Sequence, residues 1–192
     1  MSPIAGVRIL AVSGSLRAAS TNTAVLRTAV TVAPAGTTVE VYAGLGALPH
    51  FDQDDDVDPR PAPVESLHAA VRAADALLLS TPEYAGALPG SFKNLLDWCI
   101  GDGDPRSIYE MPVAWINASP RGATAAHESL AEVLGYAHAT VIGDACIEVP
   151  VTSTMVGPDG TITDAAVRDR IAGAVGALVA AATAVRGPEE RR

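Results

Sequence analysis

Short apolar runs recur along the chain and are separated by longer amphipathic stretches. They occupy residues 7–13, 38–42, 76–80, 113–117, 140–142 and 145–149. Most of the runs are continuous rather than alternating, which is typical of strands buried on both faces of a parallel sheet. We expect five strands from these runs.

The stretches between and after the runs carry apolar residues at helical spacing. The predicted helices cover residues 22–32, 64–74, 89–100, 123–134 and 164–185, and Thr163 or Asp164 suits the N-cap of the last one. The repeated strand–helix order, without an internal repeat or linker, predicts one doubly wound α/β domain over residues 1–186. We expect residues 187–192 to form a disordered tail.

Composition and charge narrow the classes of function. The chain has 192 residues, of which 48% are hydrophobic and 18% charged, a balance that excludes a disordered protein. The net charge of −9 disfavours a nucleic-acid binder, which needs a basic face. Two cysteines are too few for a disulfide framework, and no apolar stretch reaches the roughly 20 residues of a membrane span. We therefore expect a cytoplasmic protein without nucleic-acid or membrane partners.

The loop after the first strand is the strongest candidate for a binding site. In open parallel sheets, ligands bind beyond the carboxyl ends of the strands, and a helix N-terminus attracts anions. This loop combines Ser15, Arg17, Ser20, Thr21 and Asn22, which all donate hydrogen bonds. It lacks the fingerprints of a P-loop and of a dinucleotide-binding turn, so a terminal phosphate monoester is the predicted ligand. The alternative interpretation is a capped helix without a ligand.

Two further loops follow the third and fourth strands. The first of them, residues 80–90, contains two prolines and two glycines that fix its backbone path, and Tyr84 offers a ring for stacking. The other, residues 117–123, is rich in small residues that let a backbone approach a flat ligand. In this loop, Arg121 is expected to contact an anion, a second phosphate or merely the solvent. For the loop 80–90, the alternative is a plain strand-to-helix turn.

The motifs in these loops resemble the NADPH-dependent FMN reductase family, which includes flavodoxin-like quinone, azo-dye and chromate reductases. The matching segments are Gly14-Ser15-Leu16-Arg17-x-x-Ser20-x-Asn22, Pro82-Glu83-Tyr84, Leu88-Pro89-Gly90-x-x-Lys93-Asn94-x-x-Asp97-Trp98 and Leu48-Pro49-His50-Phe51-Asp52-Gln53-Asp54. The resemblance covers most of the chain in matching order. It implies a flavodoxin-like three-layer sandwich with a five-stranded parallel sheet in the order 2-1-3-4-5.

The resemblance also implies roles for ten residues around FMN. Those that would bind the phosphate are Ser15, Arg17, Ser20 and Asn22; those that would contact the isoalloxazine are Pro82, Glu83 and Tyr84; and those that would flank the other ring edge are Ser119, Arg121 and Gly122. The chain departs from the family at Ala85, where Asn is usual, and at Arg121, where small residues are usual.

The function implied is transfer of a hydride from NADPH or NADH to FMN, followed by reduction of a quinone, free flavin or similar small acceptor. No side chain is assigned a catalytic role, and no metal is expected, because the flavin carries the chemistry. Two alternatives remain, an electron carrier and a dedicated flavoenzyme of a secondary-metabolite pathway. A carrier stacks aromatic rings on its flavin, and only 4% of this chain is aromatic. The family typically forms dimers or tetramers, so a homodimer or homotetramer is expected.

The remaining polar features receive structural interpretations. Residues 50–63 predict a solvated, proline-stiffened crossover, with a lid or a dimer contact as the alternative, and they lack the glycine and glutamate of a calcium loop. We predict that His68, His127 and His138 are surface or helix-capping residues, and that Cys99 is a buried core thiol.

Overall fold

Six strands and five helices are found in residues 6–101 and 107–186, the part of the chain that the computed structural model describes. The strands are β1 (Arg8–Ser13), β2 (Thr38–Val41), β3 (Ala76–Ser80), β4 (Pro112–Asn117), β5 (Thr140–Val141) and β6 (Ile147–Glu148). The helices are α1 (Thr21–Val32), α2 (Ala62–Arg72), α3 (Gly90–Asp97), α4 (Thr124–Tyr136) and α5 (Ala165–Val185). The tail predicted for residues 187–192 lies outside the described residues.

The strands form a parallel sheet in the order β2-β1-β3-β4-β5, as predicted. β1 and β3 are adjacent at its centre, and their last residues, Ser13 and Ser80, lie opposite each other in register. Every residue of β3 is buried, as expected for a central strand covered on both faces. The loops that follow these strands therefore leave the sheet side by side.

The fifth strand position is divided between two short strands, where we expected a single strand. Both β5 and β6 pair with β4 in parallel. A 3₁₀ turn over Gly143–Ala145 interrupts the pairing, because the N–H of Ala145 bonds to the carbonyl of Ile142 at 2.9 Å instead of to the sheet. A short, broken edge strand offers few free backbone groups for pairing with another chain.

Two hydrophobic clusters lie on opposite faces of the sheet. Successive residues of β1 point to opposite sides, so Ile9 packs with α1 and α5 while Leu10 packs with α2, α3 and α4. Phe92 of α3 and Ile171 of α5 are fully buried, one in each cluster. These two helix layers around the sheet confirm the predicted three-layer doubly wound fold.

The predicted surface location is wrong for two of the three helical histidines. His68 and His127 are buried, with 2% and 8% of their surfaces exposed, while His138 is exposed. His68 Nε2 lies 2.7 Å from the carbonyl oxygen of Trp98, and His127 Nδ1 lies 2.8 Å from that of Ala123. A carbonyl partner offsets much of the free energy that burying an imidazole costs, so each ring fills the buried face of its helix. Cys99 is buried as predicted.

The polar loop between β2 and α2 is held at both ends. Near its start, the Asn94 side chain accepts a hydrogen bond from the Phe51 N–H at 2.7 Å and donates one to the Pro49 carbonyl at 2.8 Å. Near its end, the largely buried Arg60 side chain pairs with Asp56 at 2.6 Å and with Asp58. The predicted crossover is exposed but internally fastened.

The longest helix, α5, has 21 residues and packs against α1. Its N-cap is Asp164, one of the two predicted residues, whose side chain accepts a hydrogen bond from the Val167 N–H at 2.9 Å. Among the described residues, no helix combines the length and the apolar character needed to span a bilayer.

Candidate functional site

The loops after β1, β3, β4 and β6 surround a cleft of about 630 Å³ at the carboxyl edge of the sheet. Nine of the ten predicted site residues line it, namely Ser15, Arg17, Ser20, Asn22, Pro82, Glu83, Tyr84, Ser119 and Arg121. The tenth, Gly122, lies behind this lining, and its carbonyl accepts a hydrogen bond from the Asn117 side chain. The structure therefore brings together the three loops that the sequence analysis selected separately.

Tight packing against the second loop fixes the path of the first. The Gly14 N–H bonds to the Ser80 carbonyl at 2.8 Å. A Cβ atom on Gly14 would lie 2.3 Å from Thr81 Oγ1, so only glycine fits at this position. Ser15 Oγ accepts a hydrogen bond from the Arg17 N–H at 3.3 Å, which turns the chain back towards α1.

The N-terminus of α1 presents several donors to the cleft. Ser20 is the N-cap and accepts a hydrogen bond from the Thr23 N–H at 3.4 Å. Within the described residues, the N–H groups of Thr21 and Asn22 and the exposed Arg17 guanidinium have no hydrogen-bond partner. Free N–H groups at a helix N-terminus, with a guanidinium beside them, suit an anion.

Asn22 is held from behind by a buried hydroxyl. Ser80 Oγ lies 2.9 Å from Asn22 Oδ1 and 2.7 Å from the Ile116 carbonyl oxygen, and Ser80 is fully buried. The single Ser80 hydroxyl hydrogen is shared between these two acceptors, and the contact holds the Asn22 amide in place. Within the described residues the amide nitrogen has no hydrogen-bond partner, so Asn22 has a donor free for a ligand.

A four-residue turn shapes the second loop. Tyr84 and Ala87 exchange two backbone hydrogen bonds of 3.0 and 3.1 Å around Ala85 and Gly86, whose φ angles are 51° and 71°. Two consecutive left-handed residues are the pattern of a type I′ turn. Tyr84 stands at the rim of the cleft with half of its surface exposed. Its ring is therefore free to contact a ligand.

Asn117, at the end of β4, organises the third loop. Its side chain accepts a hydrogen bond from the Ser119 N–H at 3.0 Å and donates one to the Gly122 carbonyl. Gly122 and Ala123 both have positive φ, which turns the backbone sharply into α4. The Arg121 side chain is exposed and, in the described ranges, has no partner.

The fourth loop was not singled out by the sequence analysis. Val151, Thr152 and Ser153 also line the cleft, and the Val151 N–H bonds to the Ala118 carbonyl at 3.0 Å. The signal was available, because these residues directly follow the apolar run 145–149. The rule that ligands bind at the carboxyl ends of strands applies to them as well.

Ionisable groups with shifted pKa values lie outside the cleft lining. Burial raises the pKa of the Cys99 thiol to about 12 and also raises that of Cys146. In the part of the chain that is described, no three His, Cys, Asp or Glu side chains are arranged to hold a metal.

Known proteins resemble this chain in both sequence and structure. Residues 7–152 match the model of the NADPH-dependent FMN reductase family. The chain is similar to the NAD(P)H-dependent FMN reductase PA1204 of Pseudomonas aeruginosa, with 39% identity over 92 residues that cover 48% of this chain and 49% of that protein. It is similar to a quinone reductase of Escherichia coli, with 37% identity over 93 residues that cover 48% and 50%.

Among solved structures, the flavoenzyme FerB from Paracoccus denitrificans, an NAD(P)H:acceptor oxidoreductase, is similar over 93% of this chain and 98% of its own. The TM-score is 0.80 and the sequence identity 26%. The chain spans about half the length of the two curated relatives that it matches. Because the family match covers most of the chain, this protein belongs to the NADPH-dependent FMN reductase family.

Proposed function

We propose that this protein is an FMN-dependent NAD(P)H oxidoreductase that reduces a quinone, a free flavin or a similar small acceptor. One observation carries the proposal. The donor-rich N-terminus of α1 and the loops that follow β3 and β4 line the same cleft. The names of similar proteins, an FMN reductase and a quinone reductase, support the same chemistry.

The donors of the first loop fit the FMN phosphate. A phosphate needs several donors and a positive charge, and the loop offers the free N–H groups of α1, the Ser15 and Ser20 hydroxyls, the Asn22 amide and the Arg17 guanidinium. The Ser80 contact supports this assignment, because it holds the Asn22 amide in place beside the N-terminus of α1. We assign these four residues to the phosphate.

The second and third loops fit a flat ring system. Pro82, Glu83 and Tyr84 would contact one part of the isoalloxazine, and Ser119, Arg121 and Gly122 would flank another edge. Tyr84 is the one aromatic residue among those that line the cleft in the described part of the chain. A flavin held between rings on both faces, as in an electron carrier, has no room for a nicotinamide, whereas a lining with one aromatic ring would stack on one face at most. We therefore favour an enzyme over a carrier.

Bound FMN supplies two-electron chemistry, in which a hydride is accepted from NADPH or NADH and two electrons are passed to the acceptor. The chain contributes binding and orientation. The Tyr84 N–H is bonded to the Ala87 carbonyl, so of the two backbone N–H groups in this part of the cleft lining the Glu83 N–H is the one left to stabilise negative charge on a ligand. The proposal assigns no proton transfer to a side chain.

We also expect the enzyme to be a homodimer or homotetramer in the cytoplasm. Leu16, Phe51 and Tyr84 lie in the loops at the carboxyl edge with 62%, 39% and 50% of their surfaces exposed. Exposed apolar side chains in loops at one edge of a sheet favour a subunit interface there. Light scattering coupled to size-exclusion chromatography tests the expectation, and a monomer at micromolar concentration would contradict it.

A visible spectrum of the purified protein tests the central proposal. We expect flavin absorbance after reconstitution with FMN, and bleaching of that absorbance when NADPH or NADH is added without oxygen. Addition of a quinone should restore the oxidised spectrum. Failure to bind FMN would refute the proposal, and bound FMN that neither nucleotide reduces would favour a carrier.

A further inference from the structure

A second cavity of about 350 Å³ adjoins the cleft on the outer side of α1. Ala19, Ser20 and Ser153 belong to the walls of both. The predicted phosphate loop therefore forms part of the wall between the cleft and the second cavity. Such volumes are at the lower end of those that hold small-molecule ligands.

A fixed hairpin forms the far wall of the second cavity. Residues 156–162 fold back on themselves, with Val156 and Ile162 paired in antiparallel fashion. The Ile162 N–H donates to Thr28 Oγ1 at 2.8 Å, and Thr28 is a fully buried residue of α1. This bond fastens the hairpin to the helix, so the cavity has two walls that are held together.

Arg27 is the one cationic residue among those that line the second cavity in the described part of the chain. Its guanidinium lies across the turn of the hairpin, where a Cβ atom on Gly160 would be 2.7 Å from Arg27 Nη1. Within the described residues this guanidinium has no hydrogen-bond acceptor or ion-pair partner. Arg27 is exposed, and an arginine that lies beside a glycine turn with five unused donors suits a phosphate group.

The other walls suit a nucleoside. Ala24, Val156 and Pro158 supply apolar contacts for a base or a ribose. Asp159 is the one acidic residue of the lining, and its two oxygens accept hydrogen bonds from the Thr161 N–H at 3.0 Å and the Thr161 hydroxyl at 2.9 Å. Because these bonds already use both carboxylate oxygens, Asp159 is less available to a ligand than Arg27.

We propose that the second cavity binds the adenosine end of NADPH, with Arg27 contacting the 2′-phosphate. This inference rests on the proposed function, because a nicotinamide at the cleft must leave the rest of its dinucleotide outside. The second cavity shares a wall with the cleft, so it is the adjoining site that can receive the adenosine part of the dinucleotide. With a net charge of −9 over the whole chain, an isolated cation is needed to hold a second phosphate group.

A binding experiment tests the cavity without requiring turnover. Adenosine 2′,5′-bisphosphate and AMP differ only in the 2′-phosphate, and both can be titrated calorimetrically into the FMN-loaded protein. We expect the bisphosphate to bind about tenfold more tightly, the effect of one charge-assisted contact at a partly solvated site. Arg27→Ala should abolish the preference, Arg27→Lys should keep part of it, and Arg72→Ala, at the far end of α2, should leave it unchanged.

Kinetic measurements complete the test. Arg27→Ala should raise the KM for NADPH about tenfold and leave the KM for NADH and the dissociation constant of FMN unchanged. Asp159→Asn should lower the KM for NADPH, because it removes a like charge near the phosphate. An unchanged preference in Arg27→Ala, or a loss of FMN affinity in that variant, would overturn the inference. If Arg27→Ala loses the preference for the bisphosphate but NADPH does not reduce FMN bound to the wild type, the inference about the second cavity stands and the proposed function fails.

Discussion

The Glu83 carboxylate accepts a hydrogen bond of 3.1 Å from the backbone N–H of Ala126, a residue 43 positions further along the chain. Glu83 belongs to the loop after β3, and Ala126 to the first turn of α4. The residue that precedes this helix, Ala123, has no side chain able to cap it. Glu83 therefore caps α4 from a neighbouring loop, and it connects two walls of the cleft.

We expect Glu83→Ala to destabilise the protein by about 1 kcal/mol, the usual effect of losing a helix cap. For a chain of this size that lowers the Tm by about 2–4 °C. Glu83→Gln keeps an acceptor but loses the negative charge that the helix N-terminus favours. Its stability should therefore lie between those of the wild type and Glu83→Ala. The matched control is Glu128→Ala, an exposed position on the same helix. Equal losses in Glu83→Ala and Glu128→Ala would contradict the capping role.

Removal of the Arg17 guanidinium should weaken FMN binding. We expect Arg17→Ala to raise the dissociation constant of FMN about tenfold, because one charge-assisted contact with the phosphate is lost. The effect should shrink as salt is added, since Arg17 is exposed. Riboflavin, which lacks the phosphate, is the control ligand, and its affinity should be the same in both proteins. A similar loss for riboflavin would remove Arg17 from the phosphate site.

The turn in the second loop should be improved by the residue that is usual in the family. Ala85 has a φ of 51°, a conformation that costs an alanine about 1 kcal/mol and that Asn and Gly adopt more readily. We expect Ala85→Asn and Ala85→Gly each to stabilise the protein by several tenths of a kcal/mol in urea unfolding. Ala87→Asn, at the other end of the same turn, is the control and should bring no gain. Destabilisation by both Ala85 variants would refute the backbone argument.

Asn94 fastens the start of the polar loop through two hydrogen bonds, to Phe51 and Pro49. Asn94→Ala should therefore open residues 49–56 locally and cost about 1–3 kcal/mol, because the Phe51 N–H loses its acceptor and the Pro49 carbonyl loses one of its two donors. Hydrogen exchange followed by mass spectrometry should show faster exchange in this segment. Trp98 also donates to the Pro49 carbonyl, at 3.0 Å, and Trp98→Phe should produce a smaller effect in the same segment. Unchanged exchange in Asn94→Ala would contradict the anchoring role.

The buried thiol of Cys99 should make stability fall at alkaline pH. Burial raises its pKa to about 12 from an ordinary value near 9. Between these values the unfolded chain releases a proton that the folded chain keeps, so the free energy of unfolding decreases as pH rises, by at most about 1.4 kcal/mol per pH unit. The contribution is fully present below about pH 9.

The variant Cys99→Ala isolates this contribution. The difference in unfolding free energy between the wild type and the variant should shrink when urea unfolding is moved from about pH 8 to about pH 10. Titrating groups that do not interact with Cys99 cancel in this difference, while Tyr42, whose pKa is raised by burial and by the neighbouring Cys99, contributes in the same pH range. A difference that stays constant over this range would show that the thiol keeps its ordinary pKa.

Hydrophobic periodicity predicted the elements of the fold well, because each central strand is a continuous apolar run. The order of strands came from the resemblance, since periodicity does not report which strands are neighbours. The break between β5 and β6 was not predicted. It depends on a local hydrogen bond between Ala145 and Ile142 that competes with sheet pairing at an edge.

The candidate site could be predicted where the donors are neighbours in one loop, but not where it depends on contacts between separate loops. Arg17 and Asn22 were selected because donors cluster in one loop. The cap formed by Glu83 on α4 could not be inferred, because it joins residues whose distance depends on the packing of two loops. His68 and His127 were misplaced for a related reason, since the carbonyl partners that let them be buried are invisible in the sequence.

The cleft and the hydrophobic clusters share few residues. The cleft lining comes almost entirely from loops beyond the strand ends, while the sheet and helices are held together by apolar clusters on its two faces. A protein engineer can therefore vary Tyr84, Arg121 and Ser153, which are exposed and lie outside both clusters, to change what the cleft accepts. Such libraries should yield mostly folded proteins, and under the proposed function they can be screened for a changed choice of electron acceptor.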